Sequence, residues 1–109
     1  MSKFRGVVVP AGHTNSPYWA DLDGYLEIQA KVGGTFDVFV VDVGSQQVSV
    51  YCDDEGLYKE YEQNILGTLL REYPIMGTII LAGAVDDHGE QLSLPDYIGD
   101  LLVQAGLLP

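Results

Sequence analysis

Catalysis needs nucleophiles, bases or metal ligands in register, and this chain offers few of them. It has two histidines, His13 and His88, and one cysteine, Cys52. Neither a Cys-x-x-Cys nor a His-x-x-x-His spacing occurs, so the tetrahedral ligand sets that hold zinc are missing. Asp86-Asp87-His88-Gly89-Glu90 carries oxygen ligands of the calcium type. A calcium loop sets its ligands at every second position, and contiguous acids form an ordinary polar turn instead. Cys52 would need a base such as His13 or His88 beside it to act as a nucleophile. It alternates with Val48 and Val50, the pattern of a small side chain packed into a sheet. Gly33-Gly34 follows a helical pattern instead of opening one, so it cannot cradle phosphate at a helix N-terminus. Pro10-Ala11-Gly12-His13 lacks the further glycines and lysine of a phosphate loop. The expectation is a chain with no catalytic residues, no metal and no cofactor.

What remains is charge and aromatic surface. Sixteen acids against five bases give a net charge of −11. The bases are Lys3, Arg5, Lys31, Lys59 and Arg71, and none follows Arg71. Such a chain is repelled by nucleic acid and by anionic membranes. The carboxylates concentrate in two turns, Asp53-Asp54-Glu55 and Asp86-Asp87 with Glu90. Both turns follow strand-like segments. If those strands run the same way, six carboxylates gather at one edge and form a face for a basic protein, one version being mimicry of a DNA backbone. The plain alternative is a solvated, aggregation-resistant surface. Seven tyrosines and Trp19 are many for this length. Tyr18 and Trp19 in a first loop, with Tyr58 and Tyr61 before a later helix, are the expected exposed aromatics. They serve either as interface anchors or as covers at the core edges.

The elements that must position these residues are legible from periodicity. Phe4–Val9 is β-branched and ends at Pro10, a first strand. Residues 11–18 are rich in Gly, Asn, Ser and Pro and form a loop. Leu22, Tyr25, Ile28 and Val32 share one face of a helix capped by Asp23 or Gly24 and stopped by Gly33-Gly34. Phe36–Val43 is apolar on both faces except at Asp37 and Asp42 and should be central in its sheet. Gly44–Gln47 turns the chain into Val48–Cys52, its hairpin partner. Leu66, Leu69 and Leu70 mark a helix capped by Asn64 and ended by Pro74. Ile75–Leu81 is a last strand. Ser93 and Asp96 make a capping box for a final helix lined by Leu94, Ile98, Leu101 and Leu102 and closed by Gly106. The expected core is Phe36, Val38, Val40, Val41, Val50, Leu66, Leu69, Leu70, Ile79, Ile80, Leu81, Ile98 and Leu101.

The fold class is therefore α+β, a small sheet of about four strands with two to three helices in the order β-α-β-β-α-β-α. The first six elements have the split βαβ order of ferredoxin-like folds, an order that leaves the pairing open. The 109 residues suit one domain, 1–109, able to bury roughly two-thirds of its unfolded surface. No apolar run reaches the ~18 residues of a membrane span, and a lone cysteine fits a reducing cytoplasm.

Several short motifs then resemble, in order and spacing, the domain-of-unknown-function family 3846 of bacteriophages and bacteria. They are the opening strand to Pro10, the stretch Leu26–Gly34, the arm Val50–Gly56, Asn64, the strand Ile75–Leu81 and the turn with Gly89-Glu90. A Leu-Pro-x-Asn pattern expected before the second helix is missing, since Glu60–Asn64 has no proline, which unsettles that helix start. The resemblance implies a phage-type setting and a shared fold, and it carries no catalytic residues. The function expected is that of a small non-enzymatic accessory protein binding a host or phage protein, a basic or nucleic-acid-binding one. Asp53, Asp54, Glu55, Asp86, Asp87, Glu90, Tyr18 and Trp19 are its candidate contacts. An uncharacterised enzyme or ligand-binding domain built on the acidic turns, and a self-assembling module, are the alternatives.

Overall fold

A computed structural model describes residues 3–12, 16–72 and 74–105. His13 and Gly106 lie outside the described residues. The chain is α+β, and among the described residues there are five strands rather than four and three α-helices. The additional strand is β2, Tyr18–Asp23, which pairs along most of β1, Lys3–Val9, from Lys3↔Asp23 to Val8↔Tyr18. Tyr18 and Trp19 thus stand on a strand and not in a loop. The second half of β2 has the spacing of a helix face: Leu22 falls three and six residues before Tyr25 and Ile28. Here Leu22 is buried as a strand residue, and helix α1 begins only at Tyr25, running to Val32. Gly33 ends α1 in the left-handed conformation, φ 104°, its N–H bonded to the Gln29 carbonyl, a conformation glycine takes without Cβ strain.

Strands β3, Phe36–Val43, and β4, Gln46–Asp53, form the expected hairpin. Helix α2, Ile65–Arg71, follows, then β5, Ile79–Ala82, and α3, Asp96–Gln104. The sheet order is β2-β1-β5-β4-β3, every neighbour antiparallel. The last strand thus lies between the first strand and the hairpin, and the split βαβ order is broken by β2. No ferredoxin-like pairing results.

Side chains alternate across the strands, so the sheet builds two cores. One face joins Val7, Val9, Val48, Val50, Ile79 and Leu81 to Leu66 and Leu70 of α2 and Ile98 and Leu102 of α3. The other joins Phe4, Val8, Tyr51, Ile80 and Leu22 to Ile28 and Val32 of α1. β5, buried on both faces, holds the central place expected of β3. β3 is an edge strand, and its Val38 and Val40 are exposed at 44% and 55%. Apolar residues on both faces signal burial only where both faces are covered, and at this edge the face bearing Val38 and Val40 is left open. Leu69, 70% exposed, and Leu101, 46% exposed, also leave the expected core. On seven-residue α2 the inward face is set by Leu66 and Leu70, and Leu69 is rotated about 100° away from Leu70.

Asn64 caps α2 as read, accepting from Gly67 N, so the missing proline does not move that helix start. The capping box at α3 does not form. Pro95 holds the N-cap position with no side-chain bond. Ser93 Oγ instead accepts from Arg5 N at 2.9 Å, and Asp96 takes the Arg5 guanidinium at 3.2 Å. The residues before α3 are claimed by the start of β1, an attachment that local pattern cannot announce.

Candidate functional site

The segment from Asp53 to Asn64 joins β4 to α2 across one end of the sheet, and both of its ends are anchored by buried polar side chains. Asp53 has a side chain wholly shielded from solvent. Its carboxylate accepts from Lys59 Nζ at 2.6 Å, Tyr61 Oη at 3.0 Å and Glu55 N at 2.9 Å. Burial pushes that carboxyl up, and the bonds from Lys59, Glu55 and Tyr61 more than reverse this, holding it below its ordinary value. The bond to Asp53 in turn raises Lys59. Lys59 also donates to the Gly33 carbonyl at 3.1 Å, tying the segment to the end of α1. Tyr61 lies against Gly77, where a Cβ would come within 2.7 Å of its ring.

At the other end Asn64 is 1% exposed. Its amide donates to the carbonyls of Val9 and Gly77, both at 2.9 Å, while its oxygen caps α2 through Gly67 N. All the strong bonds of that side chain are therefore spent inside the protein, across β1, α2 and the approach to β5. A buried network satisfied in this way rigidifies what it holds.

Between the anchors the segment faces water. A 3-10 turn, Gly56–Tyr58, presents Tyr58 at 89% exposure. Asp54, Glu55, Glu60 and Glu62 are exposed along the same segment. Asp54 is steadied by Thr35 Oγ1 at 2.8 Å. An open cleft of about 400 Å3 runs beside it, lined by Pro10, Lys31, Glu60, Tyr61, Glu62 and Gly77 among others.

The candidate residues from the sequence separate. β4 and β5 are antiparallel, so the turns that follow them lie at opposite ends of the sheet, and the six carboxylates do not gather at one edge. Asp53 is internal. Asp54 and Glu55 are joined instead by Glu60 and Glu62. The second turn is self-contained: Asp86 accepts from the backbone N–H groups of His88 and Glu90 at 2.8 and 2.9 Å, an Asx turn, with Asp87 exposed. Trp19 is half-buried under Arg5, whose guanidinium sits 4.0 Å from the ring centre, and its ring meets the Gly99 Cα of α3 so closely that a Cβ there would overlap it. Tyr18 is 42% exposed and stands beside Lys31. Of the two aromatics expected to be exposed before α2, Tyr58 is exposed at 89%, whereas Tyr61 is half-buried and bonded to Asp53.

Four of the five basic side chains are engaged by partners within the chain. Arg5 takes Asp96 and Trp19, Lys59 takes Asp53, Arg71 takes Asp37 and Phe39, and Lys31 takes Tyr18. Cys52 is buried, and burial first, then Asp37, pushes its thiol up to about 11. Gln91, unremarkable in the sequence, is buried, accepting from Tyr51 Oη at 2.5 Å and donating to the Gly83 carbonyl at 2.7 Å. Among the described residues no three His, Cys, Asp or Glu side chains converge on a common point, and no helix is long and apolar enough to cross a membrane.

Fold and site thus define a two-faced antiparallel α+β domain with a braced acidic segment at one sheet end. Residues 4–105 match the family described as domain of unknown function DUF3846, and the chain belongs to that family. No curated protein and no solved structure matches it.

Proposed function

We propose that this is a small accessory protein of phage-type setting, without catalysis of its own, that binds a basic segment of another protein through Tyr58 and the carboxylates around it. The single observation that carries this reading is Tyr58, 89% exposed on a segment pinned at both ends by Asp53 and Asn64. A ring this exposed contributes little to the core and keeps its area free for a partner. A tyrosine mounted rigidly loses little conformational freedom on binding and makes an effective anchor. Its ring face attracts a lysine or arginine, and Asp54, Glu55 and Glu60 supply charge that steers a basic partner.

The test is capture of partners on the immobilised chain, followed by titration with Tyr58→Ala and with Asp54→Asn/Glu55→Gln/Glu60→Gln. Tyr58→Ala should weaken the complex by at least about tenfold, as removal of a central anchor does. The charge variant should slow association and flatten its salt dependence, because exposed charges are screened beyond about 8 Å at physiological salt. Unchanged affinity in both variants refutes the reading.

A further inference from the structure

β3 leaves half of its backbone unused. The loop between β3 and β4 is two residues, Gly44 and Ser45, with Gly44 at φ 64°, so Val43 and Gln46 are the hydrogen-bonded pair that closes the hairpin. Bonding alternates along an antiparallel ladder, which turns the N–H and C=O groups of Val41, Phe39 and Asp37 toward β4. Thr35 keeps the same phase, its carbonyl accepting from Asp54 N at 3.1 Å. The backbone groups of Phe36, Val38, Val40 and Asp42 therefore point away from the sheet, along its edge. Val38 N–H agrees with this direction, since it donates to Asp37 Oδ1 at 2.9 Å and not to a carbonyl of β4.

An open edge of this kind is a template for another strand. Proteins that avoid such pairing shorten the edge, bulge it, or set proline or lysine in it. β3 has eight residues, none of them proline or lysine, and its register with β4 runs one to one without a bulge. Val38 and Val40 are exposed on one face of it. Which strand fits follows from symmetry. The outward residues are centred on Phe39, so a two-fold axis there sets Val38 opposite Val40, and Phe36 opposite Asp42, of a second copy. Every outward residue then meets an outward residue, about eight exchanged bonds at two per pair. The exposed valines cover one another as cross-strand pairs. Asp37 faces Val41 and Asp42 faces Phe36, so no carboxylate stands directly opposite another.

We propose that the chain forms a two-fold dimer through β3, which pairs antiparallel with β3 of a second copy about an axis at Phe39 and joins two five-stranded sheets into one. On pairing, Val38 N–H passes from Asp37 to the Val40 carbonyl of the second copy, and Asp37 keeps the Arg71 guanidinium, 3.6 Å away. Charge sets the conditions. Each copy carries −11, a long-range repulsion that salt screens, whereas the backbone bonds of the edge are short-range and neutral. The dimer therefore tightens as salt rises, the opposite of a basic partner's behaviour at Tyr58. The two surfaces are independent, and either can fail without the other.

The test is sedimentation equilibrium of the full chain from about 1 to about 500 μM, where mass action reveals a dimer. Monomer and dimer should interconvert with concentration, and the dimer should be at least about threefold tighter at about 0.5 M salt than at about 0.02 M. Val40→Lys sets in the edge a charge of the kind that blocks pairing, and it should weaken the dimer at least about tenfold although it lowers the net negative charge. Val40→Pro removes one outward N–H, a change that an edge strand tolerates, and should weaken it likewise. Tyr58→Ala should leave it unchanged. Should both Val40 variants fail to fold, amide exchange in the wild-type chain serves in their place. The Val40 and Asp42 amides should then exchange fast in dilute and slowly in concentrated solution, and the Val41 amide slowly in both. A chain that is monomeric at every concentration overturns the proposal. So does a dimer that the folded Val40 variants leave intact, or Val40 and Asp42 amides that stay fast where dimer is present. Growth beyond a dimer would assign the edge to β2 of the next copy, and this too overturns the two-fold pairing.

Discussion

Replacing Asn64 by aspartate changes one atom type at the point where three parts of the fold meet. The orientation of the native amide is fixed by its partners: Nδ2 faces two carbonyl oxygens, Val9 and Gly77, and Oδ1 faces the Gly67 N–H. The substituted carboxylate would keep the helix cap, worth about 1 kcal/mol. It would also set a second anionic oxygen against two carbonyls at a site 1% exposed. An unpaired buried charge of this kind destabilises by about 3–5 kcal/mol, a large share of the ~5–15 kcal/mol available to a domain. Asn64→Ala loses the cap and leaves two carbonyls unpaired at about 1–3 kcal/mol each, a similar total at neutral pH. The two variants part company in acid. A carboxyl at this position holds its proton more tightly in the folded than in the unfolded state, where an aspartate pKa is about 3.9. The folded state then binds more protons, so stability falls as pH rises, by up to about 1.4 kcal/mol per pH unit. Lowering the pH restores a donor to one carbonyl and recovers part of the loss. Urea unfolding followed by the fluorescence of Trp19, from about pH 7 down to about pH 4, near that unfolded value, measures this directly. The deficit of Asn64→Asp relative to wild type should shrink as pH falls, and that of Asn64→Ala should not. A pH-independent deficit in Asn64→Asp, or one below about 1 kcal/mol, would refute the role given to this network.

Asp53, held below its ordinary value by Lys59, Glu55 and Tyr61 against the effect of burial, contributes stability that is present above the unfolded pKa of about 3.9 and is lost as pH falls through the folded value. Asp53→Asn should therefore flatten the acid limb of the stability profile, read by urea titration at stepped pH. Cys52, with its thiol pushed up to about 11, should react slowly with a thiol reagent at about pH 8 in the native state and rapidly in urea; fast native labelling would contradict its burial. Leu69→Ala should cost under about 1 kcal/mol, since Leu69 is 70% exposed, whereas Ile98→Ala should cost about 2–5 kcal/mol, both read as urea midpoints.

Much of the architecture was legible because it is local. The strand pattern of Val7–Val9, the hairpin between Phe36 and Cys52, the Gly33 stop and the Asn64 cap each follow from neighbours in the chain. The inertness expected of Cys52 came from alternation with Val48 and Val50, and burial in the structure agrees with it. β2 was missed because Leu22 has a helix-compatible spacing to Ile28, and only pairing with β1 selects the strand. The capping box of α3 failed for a similar reason: Ser93 had a better partner in Arg5 N, 88 residues away.

Composition and order alone determined an acidic α+β chain, its family and its lack of any zinc or phosphate motif. Which strand is central, which leucines face water and which carboxylates share an end were decided by tertiary pairing. An apolar strand reads the same at an edge as in the middle, because hydrophobicity records what a residue can bury and not whether anything covers it. Acidic turns look alike in sequence, because whether their charges meet depends on the relative direction of the strands before them. β4 and β5 run in opposite directions, so Asp53 and Asp86 part company, and the segment that carries Tyr58 comes to stand with Glu60 and Glu62 at the other end of the sheet.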